Sequence, residues 1–571
     1  MKVSDYIASF LKERKIKNLF GYIGGFNADI VDSFCKISGN RFILNYHEQA
    51  AAFAVNAVAT VTGKVAVVTS SGAPSTCNLV AGVANAYFDS HPCVFLVGSV
   101  HSLALRKNKA IRQNGFEEID FVHMVSDITK YAVRLQKPED IRYELEKAFY
   151  IAAEGRKGPV VVDIPYNMAR SDIDPEQLPG FELPEPEIYQ KADIQQIIAL
   201  FKQAKRPVLM LGGGATGTES RKLVIDFLKK IRMPAVATMC GLDVLPHDHP
   251  CFCGFIGHYG NRYANLAVGN CDLLLVLGAR LEERQLGGYL TKLPDGAKLI
   301  RVEIDEHELN RKLPETLSIH TSTELFLQAF AEQDINLDFS VWINLIRTWK
   351  KRFPAFTSES KQLTPNWLVH KLTSLLPEDG VVTADVGQNQ MSVSQGAYLN
   401  GDKRLLNSAG YASMGYSLPA AIGAAFARPD TRVISFSGDG GIQMNIQELQ
   451  TIVRENLSVA VVVMNNHCLG MIRRLQEKLY NNRTFVSVAG YSTPEFGAVA
   501  QAYGIRYMQI NSAEDIADLE EFIAMPGPCF IEAMFQPDME NNPEPGTVID
   551  KQMPLLTEQE AAMVKKECQM L

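Results

Sequence analysis

No stretch of this chain approaches the length of apolar sequence that a bilayer-spanning helix needs. The N-terminus likewise has no apolar core of signal-peptide length before Lys12-Glu13-Arg14-Lys15. Runs of Lys and Arg that would mark a nucleic-acid surface are missing, and the net charge of −8 points the same way. The ten cysteines are scattered. Cys251-Phe252-Cys253 is the only close pair and no Cys-x-x-Cys exists to hold zinc, which predicts buried free thiols. Together these absences predict a cytoplasmic protein with neither a membrane nor nucleic acid as partner. What is present is an ordinary globular composition, 46% hydrophobic and 21% charged, over 571 residues, too many for one core. The acidic, proline-bearing stretch 174–191 (Pro175, Pro179, Pro184, Pro186) reads as a linker. A softer boundary spans 339–365, inside which 341–349 has helical character. The expected organisation is therefore domains at 1–173, 192–335 and 366–550, with a tail at 551–571.

The most informative stretch is Ser437-Gly438-Asp439-Gly440-Gly441 with the pair Asn465-Asn466 that follows it. Arg432-Val433-Ile434-Ser435-Phe436 before it has strand composition, 442–453 has apolar residues at helical spacing, and Val459-Ala460-Val461-Val462-Val463-Met464 reads as a buried strand. Strand, helix, strand in so few residues predicts a right-handed βαβ unit. Asp439 and Asn466 then both lie at carboxyl ends of parallel strands, where doubly wound sheets bind ligands. A carboxylate and an amide oxygen, beside glycines that let backbone N–H groups approach, suit a hard divalent cation bridging a diphosphate. Gly-Asp-Gly alone could be a simple turn. Followed by Asn-Asn, it resembles the signature of thiamine diphosphate (ThDP) enzymes.

The other segments repeat the α/β pattern. Phe42-Ile43-Leu44-Asn45-Tyr46 runs into His47-Glu48-Gln49-Ala50-Ala51, so Glu48 stands at a strand end and helix start, where it could simply complement the helix dipole. A Gly-Ala-Pro-Ser loop is expected at 72–75, and a strand before Gly24-Gly25 ends in a glycine turn. In the middle segment, strands enter Gly212-Gly213-Gly214 and Gly278-Ala279-Arg280, turns that suit nucleotide phosphates or plain strand ends. The fold class expected is α/β, three doubly wound parallel-sheet domains.

The order of these signals, with Asp89-Ser90, Ile128-Thr129-Lys130, Val386-Gly387-Gln388 and Met414-Gly415-Tyr416, resembles the large catalytic subunit of acetolactate (acetohydroxyacid) synthases over nearly the whole chain. The resemblance implies pyrimidine-binding, central and diphosphate-binding domains. It also implies ThDP shared between two subunits, hence a homodimer or homotetramer. Glu48 would bond the pyrimidine nitrogen of ThDP, so that the exocyclic imine can take the C2 proton. Met414 would prop the bent cofactor, and the carbonyl of Ala412 would accept from its amine. Gly387, Gln388, Asn389, Gly438, Gly440, Gly441, Leu469, Gly470 and Met471 would surround the diphosphate. Mg²⁺ would be held by Asp439, Asn466 and the backbone carbonyl of Cys468. FAD would lie on Gly213, Arg280 and Glu303. Gly24, Gly25, Arg284 and Leu475 would meet substrate, with Glu117 near the reacting carbon. The implied reaction is decarboxylation of pyruvate or a related 2-oxo acid, with transfer of the acyl-anion equivalent to a carbonyl acceptor.

Several positions depart from that family. Glu117 stands where synthases carry glutamine, Asn389 where relatives carry histidine, and Leu475 in place of a tryptophan lining the acceptor pocket. Ala73-Pro74-Ser75, Glu282-Glu283-Arg284, His258-Tyr259 and the His467 and Leu469 positions also differ. They leave open a 2-oxo-acid decarboxylase releasing aldehyde, or a carboligase using a keto sugar or sulfoacetaldehyde as acceptor. A catalytically silent homologue is opposed by intact Glu48, Asp439 and Asn466. The acceptor, the pathway and any small regulatory subunit are not legible in the sequence.

Overall fold

The computed structural model describes all residues except 109, 186–192, 287–291, 357–362, 539–542 and 547–548. The linker expected at 174–191 falls partly, and that at 339–365 centrally, outside the described residues. Three six-stranded sheets, every pairing parallel, organise the chain. Parallel strands are covered on both faces, which is why strands such as Val459–Asn465 are buried at every position.

The first and third sheets share one topology. Counted along the chain within each sheet, the strands lie in the order second, first, third, fourth, sixth, fifth. In the third sheet this places Val433–Gly438 between Val381–Ala384 and Val459–Asn465. The middle sheet differs, with its six strands in the order third, second, first, fourth, fifth, sixth. That is the dinucleotide-binding order, which reverses between Pro207–Leu211 and Leu273–Leu277.

The first and third domains share a hydrophobic core. The small residues of helix Glu48–Thr62 and of helix Ser417–Ala427 explain it, because they let the two backbones approach closely. A methyl group at Gly423 would lie 2.0 Å from the carbonyl oxygen of Ala54. Alanine gains up to about 1 kcal/mol of helix propensity over glycine, but overlap with a backbone atom outweighs it. Gly423→Ala is expected to destabilise by about 3 kcal/mol or more, seen as a lowered thermal midpoint. An unchanged midpoint would show that the helices do not meet here.

Three local expectations need correction. Residues 442–453 do not form one helix but three pieces, Asp439–Gln443, Ile446–Glu448 and Leu449–Arg454. The break is at Asn445, whose amide donates to the Gly415 carbonyl (2.9 Å) and to Gln49 Oε1 (3.2 Å). Residues 72–75 are not a loop but the start of helix Gly72–Asn78, since proline is tolerated in a first turn. Of the ten free cysteines, seven are buried, whereas Cys35 is exposed and Cys77 and Cys240 are half-buried. The helical character of 341–349 agrees with helix Ser340–Arg352. Among the described residues no helix is long and apolar enough to cross a membrane.

Candidate active site

Gly438 pairs with Met464 across neighbouring parallel strands, so Asp439 and Asn465-Asn466 leave the sheet side by side. Asp439 opens a short helix and is buried. Its Oδ1 accepts from the Tyr491 hydroxyl (3.1 Å), while its Oδ2 is buried with no hydrogen-bond partner among the described residues. Burial raises the Asp439 carboxyl above the usual range, against opposing hydrogen bonds from Tyr491 and backbone N–H groups. Asn466 donates to Gln388 Oε1 (3.1 Å), and a methyl group at Gly470 would lie 1.9 Å from that same oxygen. The turn after Asn466 is fixed by Asn465, which accepts from the His467 N–H (3.0 Å) and donates to Glu532 Oε1 (2.7 Å). His467 itself sits in the left-handed region at φ 52°. By contrast, methyl groups at Gly387 or Gly438 would meet none of the described residues within 4 Å. A buried unpaired carboxylate oxygen, a neighbouring amide and open space beside two glycines form a cradle for a cation and an anionic group.

Asp385 organises the next turn. Its Oδ1 accepts from Val386 N–H (2.7 Å) and Gly415 N–H (2.9 Å), tying the Met414-Gly415 turn to the sheet end. Burial pushes its carboxyl up to about 6, against these hydrogen bonds. Ala412 takes a positive φ of 58°, and Met414 Cε lies 3.8 Å from where a methyl group at Gly440 would stand. Asn389 is directed into the sheet, donating to the carbonyls of Asp385 (3.0 Å) and Phe436 (3.1 Å). Leu469 reaches over Gly440. Cys468 is buried, and Met471 lies in the first turn of helix Gly470–Leu479.

The first domain carries a second group. Glu48 begins its helix, buried, and its Oε2 accepts from the Asn78 amide (2.9 Å). A methyl at Gly72, the first residue of the helix ending at Asn78, would lie 2.2 Å from Glu117 Oε2. One at Gly24 would lie 2.6 Å from Ser71 Oγ, whereas Gly25 is open. The chain thus brings Glu48, Glu117, Gly24 and Gly25 around one short helix. Leu475 is not enclosed by the described residues: it is 45% exposed, on one face of its helix with Ile472 and Leu479, which are also exposed.

A cavity of about 390 Å³ opens at the switch point of the middle sheet, lined in part by Gly213, Gly214, Arg280, Arg284, His258 and Glu303. The two glycine turns touch here, since a methyl at Gly212 would lie 2.2 Å from the Gly278 carbonyl oxygen. Glu303 accepts from the N–H groups of Ile304 (3.0 Å) and Asp305 (3.3 Å). Asp89 closes one side, accepting from Gly410 N–H (2.7 Å) and Ala409 N–H (3.2 Å). Burial pushes its carboxyl up to about 6 although Arg280 and Arg284 pull it down.

Residues 1–124, 194–330 and 385–533 match the N-terminal TPP-binding, central and C-terminal TPP-binding domains of thiamine pyrophosphate enzymes. The acetolactate synthase isozyme 1 large subunit of Escherichia coli is 32% identical, across 92% of this chain and 93% of its own length. This chain belongs to the acetolactate synthase family of thiamine pyrophosphate enzymes. The acetolactate synthase large subunit of Lactococcus lactis is 31% identical over 93% of this chain and 92% of its own length. The chloroplastic acetolactate synthase of Arabidopsis thaliana is 31% identical over 93% of this chain and 81% of its own. Within this acetolactate synthase-family chain, sequence reasoning missed Asn78, Asp385, Tyr491 and Glu532. Each acts by a long-range hydrogen bond that no local pattern announces.

Proposed function

We infer that the protein is a ThDP-dependent carboligase of the acetolactate synthase type, decarboxylating pyruvate or a related 2-oxo acid and transferring the acyl unit to a carbonyl acceptor. The observation that carries the reading is the buried Asp439 Oδ2, without a partner among the described residues, beside Asn466 and near the open space at Gly387 and Gly438. Those residues fit a Mg²⁺-bound diphosphate, with Asp439, Asn466 and the Cys468 carbonyl as ligands. When bound, ThDP supplies the carbon nucleophile and the electron sink for loss of CO₂. Glu48, oriented by Asn78, would hold the proton at the pyrimidine nitrogen. Met414, on the turn fixed by Asp385, would prop the cofactor, and Arg284, which lines the middle-sheet cavity, would grip the substrate carboxylate or the flavin region. CO₂ release from pyruvate is expected to require both ThDP and Mg²⁺. Release independent of either would overturn the reading.

The same reading includes a partner copy of this chain in a homodimer or homotetramer. It is supported by the exposed apolar face of Ile472, Leu475 and Leu479 beside the diphosphate cradle. It also includes FAD, supported by the dinucleotide-binding strand order and the cavity at Gly213, Arg280 and Glu303. Protein incubated with FAD and gel-filtered is expected to keep flavin absorbance. A colourless product would remove FAD from the account.

Leu475 and Glu117 bear on the acceptor. Leucine offers less apolar area than tryptophan, and Glu117 brings a carboxylate near the reacting carbon, disfavouring a second anionic 2-oxo acid. The wild type is expected to show weak preference for 2-oxobutyrate over pyruvate. Leu475→Trp is expected to raise that preference within the about 1–3 kcal/mol that one methylene contact provides. A strong wild-type preference, unaltered in the variant, would place Leu475 outside the acceptor site.

A further inference from the structure

We propose that Glu448 is a positioning residue for Glu48, holding from the third domain the turn on which Glu48 stands. The inference rests on the reading of Glu48 as the acid at the pyrimidine ring. Glu448 ends the short turn Ile446–Glu448 and is fully buried. Its Oε1 accepts from the backbone N–H groups of Tyr46 (2.7 Å) and His47 (3.1 Å). Its Oε2 accepts from the Asn45 amide (3.0 Å) and the Thr451 hydroxyl (2.7 Å). Asn45, Tyr46 and His47 are the whole connection between strand Arg41–Leu44 and helix Glu48–Thr62. One carboxylate from another domain therefore fixes every residue between the strand and Glu48.

A second tie runs from the same segment. Asn445 donates to Gln49 Oε1, the residue after Glu48, and to the Gly415 carbonyl beside Met414. The stretch that begins at Asp439 thus reaches both the Met414 turn and the Glu48 turn. Burying a carboxylate is costly unless donors surround it, and these four do so. The arrangement sets where Glu48 stands, and a catalytic group misplaced by an ångström can lose about 10²-fold in rate.

The test is steady-state kinetics on purified, ThDP- and Mg²⁺-saturated variants, with ThDP affinity measured separately. Glu448→Ala is expected to lower kcat by about 10–100-fold with KM and ThDP affinity near wild type. Glu448→Gln is expected to restore most of kcat, because its oxygen still accepts from Tyr46 and His47. The Asn45 Oδ1, buried with no partner among the described residues, can turn to accept from the new amide. If Glu448→Ala does not fold, Glu448→Asp, one methylene short, is expected to show the same loss of kcat. Because Glu448 acts through Glu48, adding Glu448→Ala or Glu448→Asp to Glu48→Gln should cost no further activity. A folded alanine or aspartate variant with wild-type kcat, or losses that multiply in the double variant, overturns the inference alone. Near-wild-type turnover in Glu48→Gln would remove both the reading of Glu48 and the inference.

Discussion

Glu48→Gln is expected to lower turnover by about 10²–10⁴-fold, the range of a positioned acid–base group, while ThDP still binds. Glutamine keeps the shape and the contact with Asn78, whose amide lies 2.9 Å from the carboxylate. What it cannot do is share a proton with the pyrimidine nitrogen. The loss should therefore appear in exchange of the ThDP C2 proton with solvent deuterium, measured by NMR on quenched samples, as well as in kcat. Affinity for ThDP should change little, because the cradle proposed for its diphosphate lies in the third domain. Turnover and C2 exchange both near wild type would end the assignment.

Asp439→Ala is expected to abolish Mg²⁺-dependent retention of ThDP. It removes the only anionic side chain proposed as a ligand, so the loss should exceed the about 10–100-fold that an outer-shell change costs. The folded protein should survive. Burial raises the Asp439 carboxyl, so the folded state binds this proton more tightly than the unfolded chain does. Stability of the metal-free protein at this site therefore falls as pH rises through the range where the carboxyl ionises. Asp439→Asn removes that cost, and the metal-free variant should melt no lower than metal-free wild type at neutral pH. Calorimetric titration with ThDP, with and without Mg²⁺, checks the binding. Unchanged ThDP affinity in Asp439→Ala would reduce Gly438-Asp439-Gly440 to a turn.

The three parallel sheets were legible because buried parallel strands read as continuous apolar runs. Val459-Ala460-Val461-Val462-Val463-Met464 could hardly be anything else. The position of Asp439 beside Asn465-Asn466 followed from the βαβ rule, and the register Gly438 with Met464 agrees with it. The break at Asn445 was not legible. Apolar spacing over 442–453 favours a single helix, and a tertiary hydrogen bond to Gly415 overrides it. Asp385 and Glu448 escaped for the same reason: the partners that matter, Gly415 for Asp385 and Asn45, Tyr46 and His47 for Glu448, are thirty or more residues away, and periodicity carries no signal of them. The role of Leu475 depends on what covers a face that this chain leaves exposed, and no pattern within one chain supplies that.

The most direct test of the account is product analysis by ¹³C NMR after incubating the protein with labelled pyruvate, ThDP and Mg²⁺. The account predicts CO₂ release matched by a carbon–carbon-bonded acetohydroxy acid, 2-acetolactate when pyruvate is also the acceptor. Acetaldehyde as the sole product, or pyruvate left unconsumed with and without added carbonyl acceptors, would contradict it.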